Sequence, residues 1–280
     1  MSAIKHMLVA TDLTGRSLYA LERAMQLKIQ SGAAASVLHV IEPGLSTKLQ
    51  ERRHADALAV LQDWREVLPE IARQDLAINV TVGEPFATIV EELEIHQMDL
   101  VVVGRPGKHG LRDLFLGTTT ERVVRYSPQP VLMVAQHPNG PYKRVLVAMD
   151  LSAGAARALA LAYRIAPDAK IKAVHAWQSP FVGLPSKDTS AADRDKERLL
   201  ELDKRRITDI LQALPQSASP DIAVVEGDAH TVIRNEIGLF NADLLVMGTH
   251  SRSRLSTAIV GSLAHTFLAG GACDVLVASA

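Results

Sequence analysis

The sequence predicts an α/β protein in which a unit of five parallel strands, wound on both faces by helices, occurs twice. Short apolar runs rich in Val, Ile and Leu alternate with longer segments of helical periodicity, which is typical of parallel sheets covered on both faces. The apolar strand Asp99–Val103 leads into a glycine-bearing loop, and a matching strand, Asp243–Met247, leads into a second one. A chain of 280 residues can form two modest domains.

The second half repeats the first at nearly constant offsets. Gly104 and Gly248 are 144 residues apart, whereas Asp12 and Asp150 are 138 apart. The offset changes only across the longest predicted helix, where an insertion of several residues explains it. We infer a duplication of a unit of about 140 residues, which is an ordinary domain size.

This repeat predicts one domain over residues 1–137 and a second over residues 142–280. The segment between them, His137–Pro141, is short and rich in turn residues, so it holds the domains close together.

Each element follows from apolar periodicity and from the residues that interrupt it. In the first unit we predict strand Lys5–Thr11, helix Ser17–Gln30, strand Ala34–Ile41, helix Lys48–Arg73, strand Leu76–Val82, helix Phe86–His96, strand Asp99–Val103, helix Thr118–Tyr126 and strand Pro130–Ala135. In the second we predict strand Arg144–Met149, helix Ala153–Ile165, strand Lys170–Trp177, a loop over Ser179–Thr189, helix Ala191–Leu214, strand Asp221–Val225, helix Thr231–Leu239, strand Asp243–Met247, helix Leu263–Leu268 and strand Asp274–Ser279.

Composition limits the function classes. A net charge of −1 gives no general attraction to nucleic acid or to an anionic membrane, and 4% aromatic residues disfavour a stacking platform for single strands. The single cysteine, Cys273, rules out an internal disulfide and fits a reducing cytosol. No secretory signal and no transmembrane run is visible, so we expect a cytoplasmic protein.

The first glycine loop has the features of an anion site. Gly104, Gly107 and Gly117 follow a buried strand, and Thr118 and Glu121 have the spacing of a capping box at the start of a helix. Glycines let backbone N–H groups approach an anion, and a helix N-terminus adds donors and a favourable dipole. The competing interpretation is that these glycines only end a strand and form a turn.

The second loop departs from this pattern. Ser251 stands where the repeat would place a glycine, although Gly248, Gly261 and Ser262 are present and Arg252 adds positive charge. A non-glycine residue in a left-handed backbone costs roughly 1–2 kcal/mol. We therefore expect the second site to be weaker or empty.

Other polar residues have structural alternatives. Asp12 and Asp150 each end a first strand, where a carboxylate could bind a sugar hydroxyl or an adenine amine, or could cap the following helix. His39 and His175 lie in apolar strands and are interpreted as structural. The ten histidines show no metal-binding spacing, and no nucleophile stands beside a base, so nothing in the sequence points to an enzyme.

The pattern Gly-x-x-Gly, nine residues, then Gly-Ser/Thr resembles that of the universal stress proteins, together with the Asp that ends the first strand. The resemblance covers nearly the whole chain, twice. It implies two five-stranded doubly wound sheets of order 3-2-1-4-5, Rossmann-like and similar to the adenine nucleotide alpha hydrolase fold.

The resemblance also implies binding residues. In the first half Asp12 and Val40 would face ribose and adenine, and the phosphates would lie against Gly104, Gly107, Gly117, Thr118 and Thr119. In the second half the matching residues are Asp150, Gly248, Gly261, Ser262 and Leu263, with Ala176 in the place of Val40.

Two functions follow as hypotheses. The first is a cytoplasmic stress-response module that binds ATP or another adenine nucleotide, mainly in its first half, with feeble ATPase activity at most. The need for Mg²⁺ and the identity of a protein partner stay open. The alternative is a scaffold or small-ligand binder that works without nucleotide, which the altered second loop permits.

The fifth strands suggest how the halves meet. Val131–Ala135 and Val275–Ser279 contain no charge and would each lie at a sheet edge, where unpaired apolar strands invite uncontrolled association. Pairing the two edges, or packing them together about a pseudo-two-fold axis, would protect both within one chain. Single-domain relatives are similar in that they commonly dimerise through this strand, and a homodimer of the full chain stays open.

Overall fold

The computed structural model describes residues 4–105, 119–178, 189–212, 214, 219–248 and 262–279. Ten strands within these ranges form one continuous sheet. They are β1 (His6–Thr11), β2 (Ala34–Ile41), β3 (Leu76–Val82), β4 (Leu100–Gly104), β5 (Val131–Val134), β6 (Arg144–Met149), β7 (Lys170–Trp177), β8 (Asp221–Glu226), β9 (Leu244–Gly248) and β10 (Asp274–Ala278).

The described helices cover both faces of this sheet. They are α1 (Gly15–Ser31), α2 (Thr47–Val67), α3 (Glu70–Arg73), α4 (Pro85–Ile95), α5 (Thr119–Tyr126), α6 (Ala153–Ile165), α7 (Thr189–Gln212), α8 (Ala229–Phe240) and α9 (Ser262–Gly270). None of these helices combines the length and the apolar character needed to cross a membrane.

One predicted helix is wrong as a single element. The segment Lys48–Arg73 was expected to be continuous, but it divides into α2 and α3. Leu68 is extended, with ψ 150°, directly before Pro69. A proline disfavours helical backbone in the residue before it and cannot donate an N–H, so the helix ends there. The predicted loop Ser179–Thr189 lies outside the described residues except for Thr189, which begins α7.

The strand order confirms the predicted fold class. The first half runs β3-β2-β1-β4-β5, the second runs β8-β7-β6-β9-β10 in the same sense, and all neighbours within a half are parallel. The halves join where β5 and β10 pair antiparallel, with Leu132 opposite Leu276. Each strand thus covers the other's edge, as their apolar sequences predicted.

Two apolar cores lie on opposite faces of the sheet, and both extend through the two halves. Along β1, Met7 and Val9 enter one core and Leu8 enters the other, because successive side chains of a strand point to opposite faces. Helices α1, α2 and α6 pack on the first core, and α4, α5, α8 and α9 on the second. Near-complete burial of both faces leaves the strand ends as the place for a ligand.

A buried polar cluster fastens the halves beside the β5–β10 pair. Asp274 accepts hydrogen bonds from the Tyr142 hydroxyl at 2.7 Å and from the Ala135 amide at 2.9 Å. The guanidinium of Arg23, on α1, lies 3.3 Å from the Asp274 carboxylate and 3.9 Å from the centre of the Tyr142 ring, and it donates to the Gly140 carbonyl. Residues from the first and second halves therefore meet at one carboxylate, and Arg23 ties the linker to it through Gly140.

Candidate functional site

The first cavity opens at the carboxyl ends of β1, β2 and β4 and has a volume of about 500 Å³. In the first half β1 lies between β2 and β4, so the winding of the chain reverses at this point. Ligands of open parallel sheets bind in the crevice outside such a reversal. The lining combines polar residues, among them Thr11, Asp12, Thr119 and Thr120, with the apolar side chains of Leu38, Val40, Ile89, Val103 and Val123.

Asp12 is held by a local hydrogen-bond network. Its Oδ1 accepts from the Thr14 amide at 3.0 Å, the Thr14 hydroxyl at 2.7 Å and the Ser17 hydroxyl at 2.7 Å. In the described part of the chain all three of these bonds end on Oδ1, and Asp12 lines the first cavity. Leu13 takes a left-handed backbone, φ 62°, which closes this tight turn.

Burial alone would raise the pKa of Asp12, but the hydrogen bonds from Thr14 and Ser17 together outweigh it and hold the pKa below its ordinary value. The carboxylate is therefore ionised at neutral pH and can only accept hydrogen bonds. Such a group suits a hydroxyl or amine donor on a ligand and repels a phosphate.

The alternative assignment of Asp12 and Asp150 as helix N-caps is wrong. The N-cap of α1 is Thr14 and that of α6 is Ser152. In both halves the aspartate instead accepts from the capping residue, and the intervening leucine has positive φ: Leu151, like Leu13, with φ 59°. The turn was duplicated with its backbone geometry.

Gly104 has a packing reason to be glycine. A Cβ on Gly104 would lie 2.9 Å from the Arg16 carbonyl oxygen and from the backbone of Ser17, at the start of α1. Gly248 stands in the same relation to Gly154, with a Cβ at 2.7 Å from its carbonyl carbon. In each half the fourth strand thus lets the first helix approach, and this contact sets one wall of the cavity.

His39 and His175 fasten neighbouring strands at the cavity floor, in line with their structural interpretation. The Nδ1 of His39 lies 2.9 Å from the Thr11 carbonyl, and that of His175 lies 2.8 Å from the Met149 carbonyl. Since a carbonyl only accepts, Nδ1 donates in both. His175 is also 3.5 Å from Asp203 on α7.

The second cavity occupies the equivalent place in the second half and has a volume of about 480 Å³. Asp150, Ala176, Gly248 and Leu263 line it. Its chemistry differs at the helix that follows the glycine loop. Thr119 and Thr120 of the first cavity correspond to Leu263 and Ala264 of the second, so two hydroxyl groups are replaced by apolar side chains.

The predicted site residues divide into two groups. The structure brings Asp12, Val40, Gly104 and Thr119 together around the first cavity, and Asp150, Gly248 and Leu263 around the second. Ser262 begins α9. Gly107, Gly117, Thr118 and Gly261 lie outside the described residues, as does Ser251, so their proposed roles stay predictions.

Several residues of the first cavity were not among the predicted site residues, and three of them are polar residues with a clear place in it. Ser17 fixes Asp12, Thr120 adds a second hydroxyl at the start of α5, and Arg105 follows Gly104 at the cavity rim. Ser17 could have been found, because it stands one turn into a helix that starts beside Asp12.

The described residues contain no group of three His, Cys, Asp or Glu side chains that could hold a metal ion.

Comparison with known proteins gives the family. The profile of the universal stress protein family matches residues 3–135 and again 141–279. A universal stress protein of Mycobacterium tuberculosis is 28% identical over 201 residues, which are 69% of this chain and 65% of that protein. The chain thus spans about two thirds of the length of that relative. A universal stress protein of Bacillus subtilis is 28% identical over 144 residues, 46% of this chain and 97% of its own.

Solved structures agree on the fold. A universal stress protein from Pseudomonas aeruginosa superposes with a TM-score of 0.71 at 22% identity, over 99% of this chain and 94% of its own. One from Archaeoglobus fulgidus gives 0.70 at 22% identity, over 98% of both chains. With the duplicated sheet and two family matches in one sequence, the chain belongs to the universal stress protein family as a tandem member that carries the family's domain twice.

Proposed function

We propose that this chain is a regulatory protein that binds ATP or another adenine nucleotide in the cavity of its first half. The observation that carries the proposal is the chemistry of that cavity. Its lining combines a carboxylate fixed by hydrogen bonds, a set of apolar side chains and the hydroxyl-bearing start of α5. A volume of about 500 Å³ is within the range of small-molecule sites.

The residues fit the parts of a nucleotide. The side chains of Val40 and Ile89 offer an apolar surface for a base, and Asp12 Oδ2 can accept a hydrogen bond from a ribose hydroxyl or an adenine amine. Thr119 and Thr120 stand at the N-terminus of α5, where the helix dipole favours phosphate oxygens. Separation of the phosphates from Asp12 avoids repulsion between the two negative charges.

The second half would bind nucleotide more weakly. Leu263 and Ala264 supply no hydroxyl donors where Thr119 and Thr120 do, and this supports the expectation already drawn from Ser251. The same apolar lining favours the second candidate function, binding of an uncharged small ligand without nucleotide, for the second cavity.

We expect slow hydrolysis or none. A cavity that positions phosphates does not by itself activate water. If Mg²⁺ accompanies the nucleotide, its ligands would be phosphate oxygens, water and at most one or two carboxylates, as is common for this ion. A steady-state turnover above about one per second, within the range of ordinary enzymes, would contradict a regulatory role.

In the cell we propose a stress-response role in the cytoplasm, in which nucleotide occupancy controls contact with a protein partner. Nucleic acid and membrane are not among the proposed partners. Homodimerisation of the full chain is a further proposal, which sedimentation at several concentrations would test.

Calorimetric titration of the full chain tests the proposed function. ATP should bind with a stoichiometry near one in the high-affinity phase, and GTP should bind more weakly, since its base lacks the 6-amino donor. Adenosine should bind the first cavity but more weakly than ATP, because the contribution of the phosphates is lost. Absence of heat with ATP, at protein concentrations that detect micromolar binding, would reject the proposal.

A further inference from the structure

Arg105 links the rim of the first cavity to the second half of the chain. It is the residue after β4, and its amide donates to the Val134 carbonyl of β5 at 3.0 Å. Its side chain reaches the second half, where Nη2 donates to the Ala269 carbonyl of α9 at 2.7 Å. Ala269 belongs to the last turn of α9, whose carbonyls carry the negative end of the helix dipole, so a guanidinium is favoured there.

Gly271 provides the surface against which the guanidinium lies. A Cβ on Gly271 would come within 2.1 Å of Arg105 Nη1 and 2.5 Å of Cζ. Its φ of +63° is also in the left-handed region, as is common for the residue that ends a helix. The position therefore excludes any side chain for as long as Arg105 keeps this contact.

The halves do not depend on Arg105 for their attachment. The β5–β10 pairing and the buried cluster around Asp274 join them separately, and Gln136 Nε2 adds a bond to the Ala272 carbonyl at 2.9 Å. Loss of the Arg105 contact should therefore leave the two halves docked. It should change only the effect that this contact has on the first cavity.

The contact has no counterpart in the sequence of the other half. At the offset of 144, Arg105 corresponds to Thr249, which is too short and uncharged to reach across, and Gly271 corresponds to Ser127, which has a side chain. Both halves share the duplicated fold, but the arginine occurs only in the first half and the glycine that it contacts occurs only in the second. This asymmetry runs from the cavity proposed to bind nucleotide toward the half proposed to bind it weakly.

We infer that Arg105 is a positioning residue that couples ligand affinity in the first cavity to the C-terminal end of α9 in the second half. The inference rests on the proposed function for its ligand. By fixing the rim at Arg105, the second half orders the cavity before the ligand arrives, so less ordering remains to oppose binding.

Coupling of this kind is reciprocal. If the contact strengthens binding in the first cavity, then ligand in that cavity must stabilise the contact by the same factor. The other end of α9 lies in the second cavity, at Leu263 and Ala264. Ligand in the first cavity would thus affect α9, the helix that lines the second cavity.

Four full-length variants test the inference. Arg105→Met removes the charge and the donors, and Arg105→Lys keeps a charge that can make one bond without the planar fork. Gly271→Ala displaces the guanidinium from the opposite half, and Gly271 does not line the first cavity. Gly32→Ala is the matched control, because Gly32 also ends a helix with φ +70° but has nothing within 4 Å of its Cβ position.

The first measurement is calorimetric titration with ATP. Arg105→Met and Gly271→Ala should each raise the dissociation constant for ATP by about fivefold or more. This is the lower end of the affinity changes typical of coupled sites. Arg105→Lys should fall between them and the parent, and Gly32→Ala should match the parent. Loss of affinity in Arg105→Met alone would indicate direct contact with the ligand and would overturn the coupling, as would unchanged affinity in both variants.

The second measurement is amide hydrogen exchange at saturating ATP. ATP should slow exchange of the segment 267–273 in the parent and in Gly32→Ala, and should not slow it in Arg105→Met, although the first cavity is filled in all three. Persistent protection in Arg105→Met would overturn the inference. Failure of the parent to bind ATP at all would instead reject the proposed function, and the coupling would fall with it.

Discussion

At the scale of single residues, the pKa of Asp12 is set more by hydrogen bonds from its neighbours than by the burial of its carboxyl group. Ser17 is buried on α1, receives a hydrogen bond from the Thr11 hydroxyl and donates its own to Asp12 Oδ1. The hydroxyl chain therefore runs from the end of β1 through α1 to the carboxylate. It holds the Asp12 carboxylate in place at Oδ1 and favours its charged form.

We predict that Ser17→Ala raises the pKa of Asp12 toward its ordinary value, because one of the bonds that stabilise the carboxylate is lost. The pKa of Asp12 is lowered in the folded protein, so its stabilising contribution is present above the ordinary pKa and disappears as the pH falls through the lowered one. On acidification, the loss of stability that is due to Asp12 should therefore be smaller in the variant than in the parent.

Carbon-detected NMR titration of the Asp12 carboxyl measures this change. Ser31→Ala is a suitable control, since Ser31 donates to the Leu27 carbonyl at the other end of α1. An Asp12 pKa that is the same in Ser17→Ala as in the parent would show that the serine bond does not carry the shift.

Cys273 gives a second residue-scale prediction. Burial, with a smaller effect from Asp274, raises the pKa of this thiol to about 12. Only the thiolate is an effective nucleophile, so the folded protein should react very slowly with iodoacetamide at pH 8. Mass spectrometry should find alkylation only after urea unfolds the chain, and rapid alkylation of the native protein would contradict this account.

At the scale of elements, the contact between β4 and α1 sets one side of the first cavity. We predict that Gly104→Ala destabilises the protein by about 1–3 kcal/mol, the usual range for forcing an extra carbon into a packed site. Gly15→Ala is the matched control at the start of the same helix, where a Cβ would meet nothing within 4 Å. Urea unfolding measures both, and equal stability of the two variants would refute the packing role.

The elements also show how far sequence reasoning reaches. Apolar runs identify the strands, because parallel strands that are buried on both faces have nearly continuous hydrophobic sequences. The apolar stripe continues past Pro69, so periodicity alone predicts one helix. The break between α2 and α3 comes from the proline, which cannot continue a helix.

The first cavity was only partly predictable, for a physical reason. Asp12 and Gly104 end strands, so the parallel sheet brings them to one edge and the sequence alone could place them there. Ile89 and Thr120 reach the cavity from α4 and α5, and their meeting depends on how helices pack across the sheet. Arg105 was beyond prediction, because its partner is 164 residues away in the other half.

At the scale of the whole molecule, Asp274 holds the halves in one body. We predict that Asp274→Ala costs about 3–5 kcal/mol, because it leaves the buried guanidinium of Arg23 without its carboxylate. Tyr142→Phe should cost less, about 1–3 kcal/mol, since it removes one hydrogen bond from a carboxylate that keeps its other partners.

Guanidinium chloride unfolding, followed by fluorescence and by circular dichroism, distinguishes the outcomes. The parent should unfold in a single transition, because both cores continue through the β5–β10 pair. Asp274→Ala should unfold at lower denaturant. A stability within 0.5 kcal/mol of the parent, the range usual for surface changes, would mean that this cluster contributes little to the union of the halves.

The central claim is that the first cavity, and not the second, is the principal adenine-nucleotide site. The paired variants Val40→Phe and Ala176→Phe test it directly, because the two positions are equivalent and each places a ring in one cavity. In calorimetric titration with ATP, Val40→Phe should abolish the high-affinity phase and Ala176→Phe should retain it. Parent-like binding by Val40→Phe, or loss of binding in Ala176→Phe alone, would contradict the assignment.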